Sequence, residues 1–422
     1  MAGARSDFDV IVVGGGPAGS TTATLVARAG RRVLLLDREE FPRFRIGESL
    51  MPATYWTLER LGVLDRLKAS SYPRKHSVQF FSKSGRASAP FYFSEVDPHE
   101  SSATWQVDRL SFDRMLLDNA RESGVQVRER ANVRDVLFEG SRARGVLVEY
   151  ADGKREEIAA GVVVDATGQT ALIGRKLGLK DVDPQLRHTS FFARYRGAVR
   201  GSGVDEGATL IMRTPRKRTW FWFIPLPEDQ ASVGVVGPVD QLLKGRKGGP
   251  ETVFDEEVQN CPAIQQRIRG AERIGPVRAM RDFSYISRRI AGDGWVLVGD
   301  AFGFLDPIYS TGVFLAFKSA EFAADAIISA FEKQDFSAAQ LSRHGPEYVA
   351  AMESLRKLVY AYYDESFSIA AFLKRNPEYR GHVVNLLIGN LFRAPVEGLF
   401  EAMGRECELP EPRRLLPVEE CG

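Results

Sequence analysis

An α/β fold is what this 422-residue sequence predicts, on three observations. A β-branched run, Val10–Val13, leads directly into the turn Gly14-x-Gly16-x-x-Gly19 and then a helical pattern. Two later β-branched runs end the same way, at Asp165-Ala166-Thr167-Gly168 and at Gly299-Asp300. Around 70–107 and 186–240 the pattern alternates as in strands, and from about Asp335 to Met403 apolar residues recur at i, i+3 and i+4. The prediction is a Rossmann-like nucleotide-binding domain, a mixed-sheet lobe over it, and a C-terminal helical appendage.

The first element is "FDVIVV", a continuous run suited to a strand buried on both faces. Gly14 makes the turn and Gly16 lets backbone N–H groups approach a pyrophosphate. Gly19 lets the helix pack on the strand. The helix, about Pro17–Ala29, aims its positive end at the phosphates, with Ala18 in its first turn. The next strand, "RRVLLLD", ends at Asp37, placed to accept from a ribose 2′-OH, which favours FAD or NAD. Arg109 then precedes an amphipathic helix. No second glycine fingerprint follows a strand, so no resident NAD(P)H site is expected.

Bulk properties exclude other classes. With 44% hydrophobic and 27% charged residues and a net charge of +2, the chain is not built for nucleic acid. Cys261, Cys407 and Cys421 are scattered and odd in number, which suits a reducing cytoplasm. The five histidines are spread along the chain, so no metal site is expected. No apolar run is long enough to span a membrane, and the N-terminus does not read as a signal peptide.

The order of these nucleotide segments resembles the FAD-dependent group A monooxygenases and their relatives over most of residues 7–330. That resemblance selects FAD and implies that Asp300 binds the ribityl chain. It also implies that the helix after Ser310-Thr311-Gly312 points at the isoalloxazine. Other segments narrow the match. Trp220-Phe221-Trp222-Phe223-Ile224-Pro225 resembles the W-x-W-x-I-P motif of flavin-dependent halogenases. "RIGESLMPAT", with Arg45, Glu48 and Ser49, resembles their G-E-S segment, and Asp306–Gly312 their D-P-x-x-S-x-G segment. Lys75 in "YPRKHSVQF" stands where these enzymes place a catalytic lysine, with Ser77 in place of a glycine two residues on. The cofactor contacts implied are Gly14, Gly16, Ala18, Gly19, Asp37, Arg45, Ser49, Arg109, Asp300 and Gly312.

The halogenase resemblance implies that FADH2, O2 and chloride or bromide produce hypohalous acid, which passes to Lys75 for electrophilic halogenation of an activated ring. Trp220 and Trp222, on one face of a strand, suit a partition that keeps an organic substrate from the flavin. The plainer reading is a core strand packed under the cofactor. Ser310, Thr311 and Gly312 offer helix N-terminal amides to a halide, or to the flavin edge alone. Burial suits Lys75, because desolvation depresses its pKa. Tryptophan halogenases have a glutamate at the position of Tyr309, so a phenol or pyrrole is the expected substrate, free or tethered to an acyl or peptidyl carrier protein. Glu48, Asp97, His99 and Glu100 are candidate substrate bases, Glu48 being the most motif-bound. The basic runs Pro215–Arg218 and "GRKGG" are candidate carrier-docking patches or ordinary solvated loops.

The expected organisation is a discontinuous FAD domain (1–69, 108–185, 275–334), a substrate lobe (70–107, 186–274) and the helical region 335–422, whose proline-rich tail should be loosely held. A separate NAD(P)H-dependent flavin reductase is the expected source of FADH2. The alternative is a monooxygenase or geranylgeranyl-reductase-like enzyme of the same fold, with substrate in direct contact with the flavin.

Overall fold

The computed structural model describes residues 7–392, 396 and 398–417. Strand Phe8–Val13 lies between two parallel neighbours, Val33–Leu36 and Arg155–Asp165. Gln126–Arg128 and Trp295–Leu297 extend this sheet on either side, also in parallel, and Ala291–Gly292 closes one edge. Val10, Ile11 and Val12 are fully buried, as their unbroken apolar run predicts. Helices Pro17–Arg28, Arg109–Glu122 and Gly312–Lys333 share one core with the sheet. A hairpin, Ala131–Glu139 with Arg142–Tyr150, pairs with the first half of Arg155–Asp165.

A second sheet of eight strands forms the lobe. Its order is Gly303–Phe304, Glu272–Ser287, Lys180–Arg196, Gln230–Pro238, Trp220–Pro225, Thr209–Arg213, Ser77–Phe81, Phe91–Tyr92. Every neighbouring pair is antiparallel except Thr209–Arg213 with Ser77–Phe81, so the sheet is mixed, as predicted. The long pair Lys180–Arg196 and Glu272–Ser287 runs across the expected boundaries at 185/186 and 274/275.

The strand Trp220–Pro225 is buried at every residue, and its alternation is strict. Trp220, Trp222 and Ile224 join a core with Ile308, Tyr309, Tyr362 and Tyr363, whereas Phe221 and Phe223 face Phe254 and Leu242 on the opposite side. The register explains how an indole fits. Trp222 pairs with Gly234, where an added Cβ would lie 2.2 Å from Trp222 Cζ2. A glycine is required there by space, not by backbone conformation.

The C-terminal region is helical, led by Gly345–Tyr363 and Arg380–Ile388. The expectation of a loose tail is corrected for its described part. Arg413 reaches Asp183 at 3.3 Å, beside the buried Arg356–Asp183 pair, and the Leu416 N–H donates to the Arg288 carbonyl. Asp183 is wholly buried and attracts both guanidiniums, and the Arg413 contact holds the tail down despite its prolines. Cys261 and Cys407 are buried free thiols, and Cys421 lies outside the described residues.

Candidate active site

A cavity of 490 Å³ lies between the two sheets, within the range of cofactor sites. Of the residues expected from sequence, Gly14, Gly16, Ala18, Asp37, Arg45, Glu48, Ser49, Arg109, Trp220, Trp222, Asp300, Ser310 and Gly312 line it. Gly19, Thr311 and Lys75 do not.

The phosphate end is built by the first turn. Gly14 has φ +110°, and a Cβ there would sit 2.3 Å from the Ala166 carbonyl oxygen. Gly19 is needed for packing, since its Cβ would come 1.8 Å from the Gly14 carbonyl. No side chain caps helix Pro17–Arg28, so its first amides remain available to phosphate. Asp37 accepts from the Gly15 N–H at 2.7 Å and the Glu39 N–H at 2.8 Å, bracing the turn as it faces the cavity.

Arg109 holds the loop that carries Glu48. It is bidentate to Asp113 at 2.7 and 2.8 Å and donates to the Ile46 carbonyl at 2.6 Å. Arg43, missed in the sequence, joins Asp113 at 2.8 Å and lines the same wall. Its signal was its place two residues before Arg45. Arg45 itself pairs with Glu39 at 2.7 Å and is partly exposed. Asp300 lies deeper. Desolvation lifts its carboxyl to about 6, against the pull of Arg109 and Lys180.

Glu48 is 1% exposed. One oxygen accepts from Arg194 at 3.0 Å and the other has no partner. Burial raises its pKa, with Arg194 opposing. Ser190, another residue missed in the sequence, also lines the cavity and has a buried hydroxyl without a partner. Unsatisfied polar atoms at one concave wall fit a polar cofactor. With the uncapped helix and the glycine turn, the residues present fit FAD.

The turn before helix Gly312–Lys333 is shaped by Asp306, wholly buried, whose side chain accepts from the Ile308 N–H at 3.2 Å. Ser310 adopts φ +58°, unusual for a residue with a Cβ and a mark of functional turns. Thr311 is the N-cap residue but supplies no side-chain cap, which leaves the helix amides free. Tyr309 packs edge-on against Tyr362 and donates to the Leu358 carbonyl at 3.3 Å, away from the cavity.

Trp220 donates to the Tyr363 hydroxyl at 2.7 Å and Trp222 to Ser232 at 3.1 Å. The two ring centroids are 6.3 Å apart. Lys75 is 3% exposed and makes no ion pair among the described residues. Its Nζ donates to Ser49 Oγ at 2.9 Å and to the Leu50 carbonyl at 3.1 Å. Burial pulls its pKa down to about 7.

Other candidates lie elsewhere. Glu100 is exposed and engaged by Tyr55 and Lys68, and His99 stacks on Trp56. In the basic runs, Arg216 and Arg246 pair with the buried Glu257, and Arg218 donates to the Gln185 carbonyl. Those arginines are engaged within the chain. Among the described residues no group of three or more His, Cys, Asp or Glu is placed to hold a metal, and no helix is long and apolar enough to cross a membrane.

Cavity, glycine turn and helix ends define a flavoprotein of the FAD binding domain family, to which the chain belongs through residues 7–334. Within that class it is a flavin-dependent halogenase. It is 32% identical to the 1H-pyrrole-2-carbonyl-[peptidyl-carrier protein] chlorinase of Pseudomonas fluorescens, over 92% of this chain and 90% of the relative. It is 33% identical to the corresponding brominase of Pseudoalteromonas luteoviolacea, over 91% and 92%. Its fold matches the flavin-dependent brominase Bmp2 with a TM-score of 0.85 at 30% identity, covering 94% of this chain and 98% of that one. The relatives favour the halogenase over the monooxygenase alternative. The enzyme uses FAD and a halide.

Proposed function

We propose that this halogenase acts on a pyrrole or similarly activated ring carried by a peptidyl carrier protein, with Lys75 delivering the halogen. Bound as FADH2, the cofactor supplies with O2 the oxidising power that turns halide into hypohalous acid. The observation that carries the reading is the placement of Lys75. Its amine is buried, poised near neutrality, and joined to the cofactor cavity through Ser49.

In this reading the free amides of Thr311 and Gly312 attract the halide, while the Ser310 N–H is taken by the Pro307 carbonyl at 3.0 Å. A helix end contributes roughly 0.3–1 kcal/mol, so binding is weak and relies on high halide concentration. Trp220 and Trp222 form the wall that excludes an organic substrate. Glu48, which lines the cavity and has one oxygen without a partner, holds or accepts a proton there. Asp300, Asp37, Arg45 and Arg109 orient the cofactor. The carrier-bound substrate is supported by the printed activities of the two pyrrole-carrier relatives. We further propose a separate NAD(P)H-dependent flavin reductase as the source of FADH2. We also propose a cytoplasmic setting, which the two buried free thiols among the described residues support.

The test is single-turnover oxidation of photoreduced enzyme by O2 with bromide and a pyrrolyl-loaded carrier protein. Lys75→Ala is expected to lower halogenated product at least ~100-fold while flavin oxidation continues. Product from Lys75→Ala at the wild-type rate would remove Lys75 from the mechanism. Equal turnover of the free pyrrole acid would remove the carrier.

A further inference from the structure

Lys75 is walled off from the cofactor cavity by two hydroxyls. Ser49 and Thr209 line that cavity and Lys75 does not, and the two oxygens lie 2.9 Å apart. Counting donors shows what each hydroxyl has left to give. Gln106 Nε2 uses both protons, one to the Gly207 carbonyl at 2.8 Å and one to Thr209 Oγ1 at 2.8 Å. A backbone carbonyl can only accept, which fixes the orientation of that amide. Thr209 therefore accepts from Gln106, and Ser49 accepts from Lys75. Each hydroxyl retains one proton to give. One of these closes the bond between the pair, and the other is left to face the cavity.

Among the described residues Nζ donates to two groups and lies 5.5 Å from the centroid of the Phe93 ring, which has no proton to exchange. The Leu50 carbonyl has no proton to exchange either, so among the described residues Ser49 is the one protic exit from a side chain that is 3% exposed. All three side chains are held in place. Ser49 bridges Gln106 through the backbone, Thr209 sits in the parallel pair opposite Val78, and Gln106 is fully buried.

We propose that Ser49 and Thr209 form a two-hydroxyl proton relay that returns Lys75 to its neutral amine in each turnover. A proton leaves Nζ for Ser49 Oγ, the Ser49 proton moves to Thr209 Oγ1, and the Thr209 proton passes to water in the cavity. One proton is conveyed and no bond between heavy atoms forms or breaks. The proposal rests on the reading of Lys75 above.

The test uses FAD-loaded enzyme labelled with 15N-lysine and follows exchange of the Lys75 Nζ protons with solvent. Thr209→Val is nearly isosteric and suits a strand; FAD content checks that it folds. Exchange is expected to slow at least ~10-fold, with single-turnover halogenation falling in step while flavin oxidation is unchanged. Thr209→Ser, which keeps the hydroxyl, is expected to stay within about twofold of wild type on both readouts. A Thr209→Val enzyme that exchanges and halogenates like wild type overturns the relay, as does a Thr209→Ser enzyme as slow as Thr209→Val. Lys75→Ala is run alongside. An inactive Lys75→Ala with a normal Thr209→Val sinks the relay alone, whereas an active Lys75→Ala sinks the reading beneath it.

Discussion

Among the described residues Lys75 meets two hydrogen-bond acceptors and no counter-charge, which matches an amine with two N–H groups better than an ammonium with three. The depressed pKa has a consequence for stability. Folded Lys75 loses its proton near pH 7, but in the unfolded chain a lysine keeps it to about 10.4. Between those values the unfolded state binds one proton more, so this residue makes stability rise with pH by about 1.4 kcal/mol per unit, and contributes no slope below pH 7. Lys75→Met is expected to remove that slope from pH 7 to 10. Chemical denaturation of both proteins across that range checks it; parallel curves would show that the lysine is not neutral when folded.

The aromatic strand shows what an element must do beyond burying its residues. Its two faces serve two cores, and the indole face depends on a glycine in the next strand. Gly234→Ala would drive a methyl into Trp222. Overpacking of this kind costs about 1–3 kcal/mol, and relief comes by displacing the ring. The expected outcome is lower resistance to denaturant, a shifted tryptophan emission and, if the wall excludes substrate, halide-independent oxidation products. A variant with unchanged emission and stability would mean that the indole has room that the register does not show.

Across the whole molecule, one buried chain ties three regions together. Trp220 of the lobe donates to Tyr363 at the end of helix Gly345–Tyr363, and Tyr363 donates to Asp306 at 2.9 Å. His188 Nδ1 meets the same carboxylate at 2.7 Å. Asp306 shapes the turn that begins helix Gly312–Lys333, so the appendage, the wall and the proposed halide turn share one carboxylate. Tyr363→Phe removes one acceptor and one donor from that chain. It is expected to cost about 1–3 kcal/mol and to raise the halide KM several-fold, with FAD affinity within about twofold of wild type. Unchanged halide KM would confine the network to stability.

The nucleotide fold, the aromatic strand and the C-terminal helices were legible in the sequence because each is written in local spacing. Val10–Val13 with Gly14, Gly16 and Gly19 is a strand and turn at any address, and period two or 3.6 shows which face is apolar. Asp37, Asp300 and Trp222, which line the cavity, could be picked out from motifs alone. Arg43, Ser190, Thr209 and Gln106 could not, because nothing in their neighbourhoods marks them. The links Lys75–Ser49 and Ser49–Thr209 span 26 and 160 residues, and strand register alone brings them together. The sequence by itself determined which cofactor the chain holds and singled out the candidate residues. Only the tertiary structure decided that Lys75 stands behind two hydroxyls, because burial, and with it the charge of an amine, is a property of the packed whole.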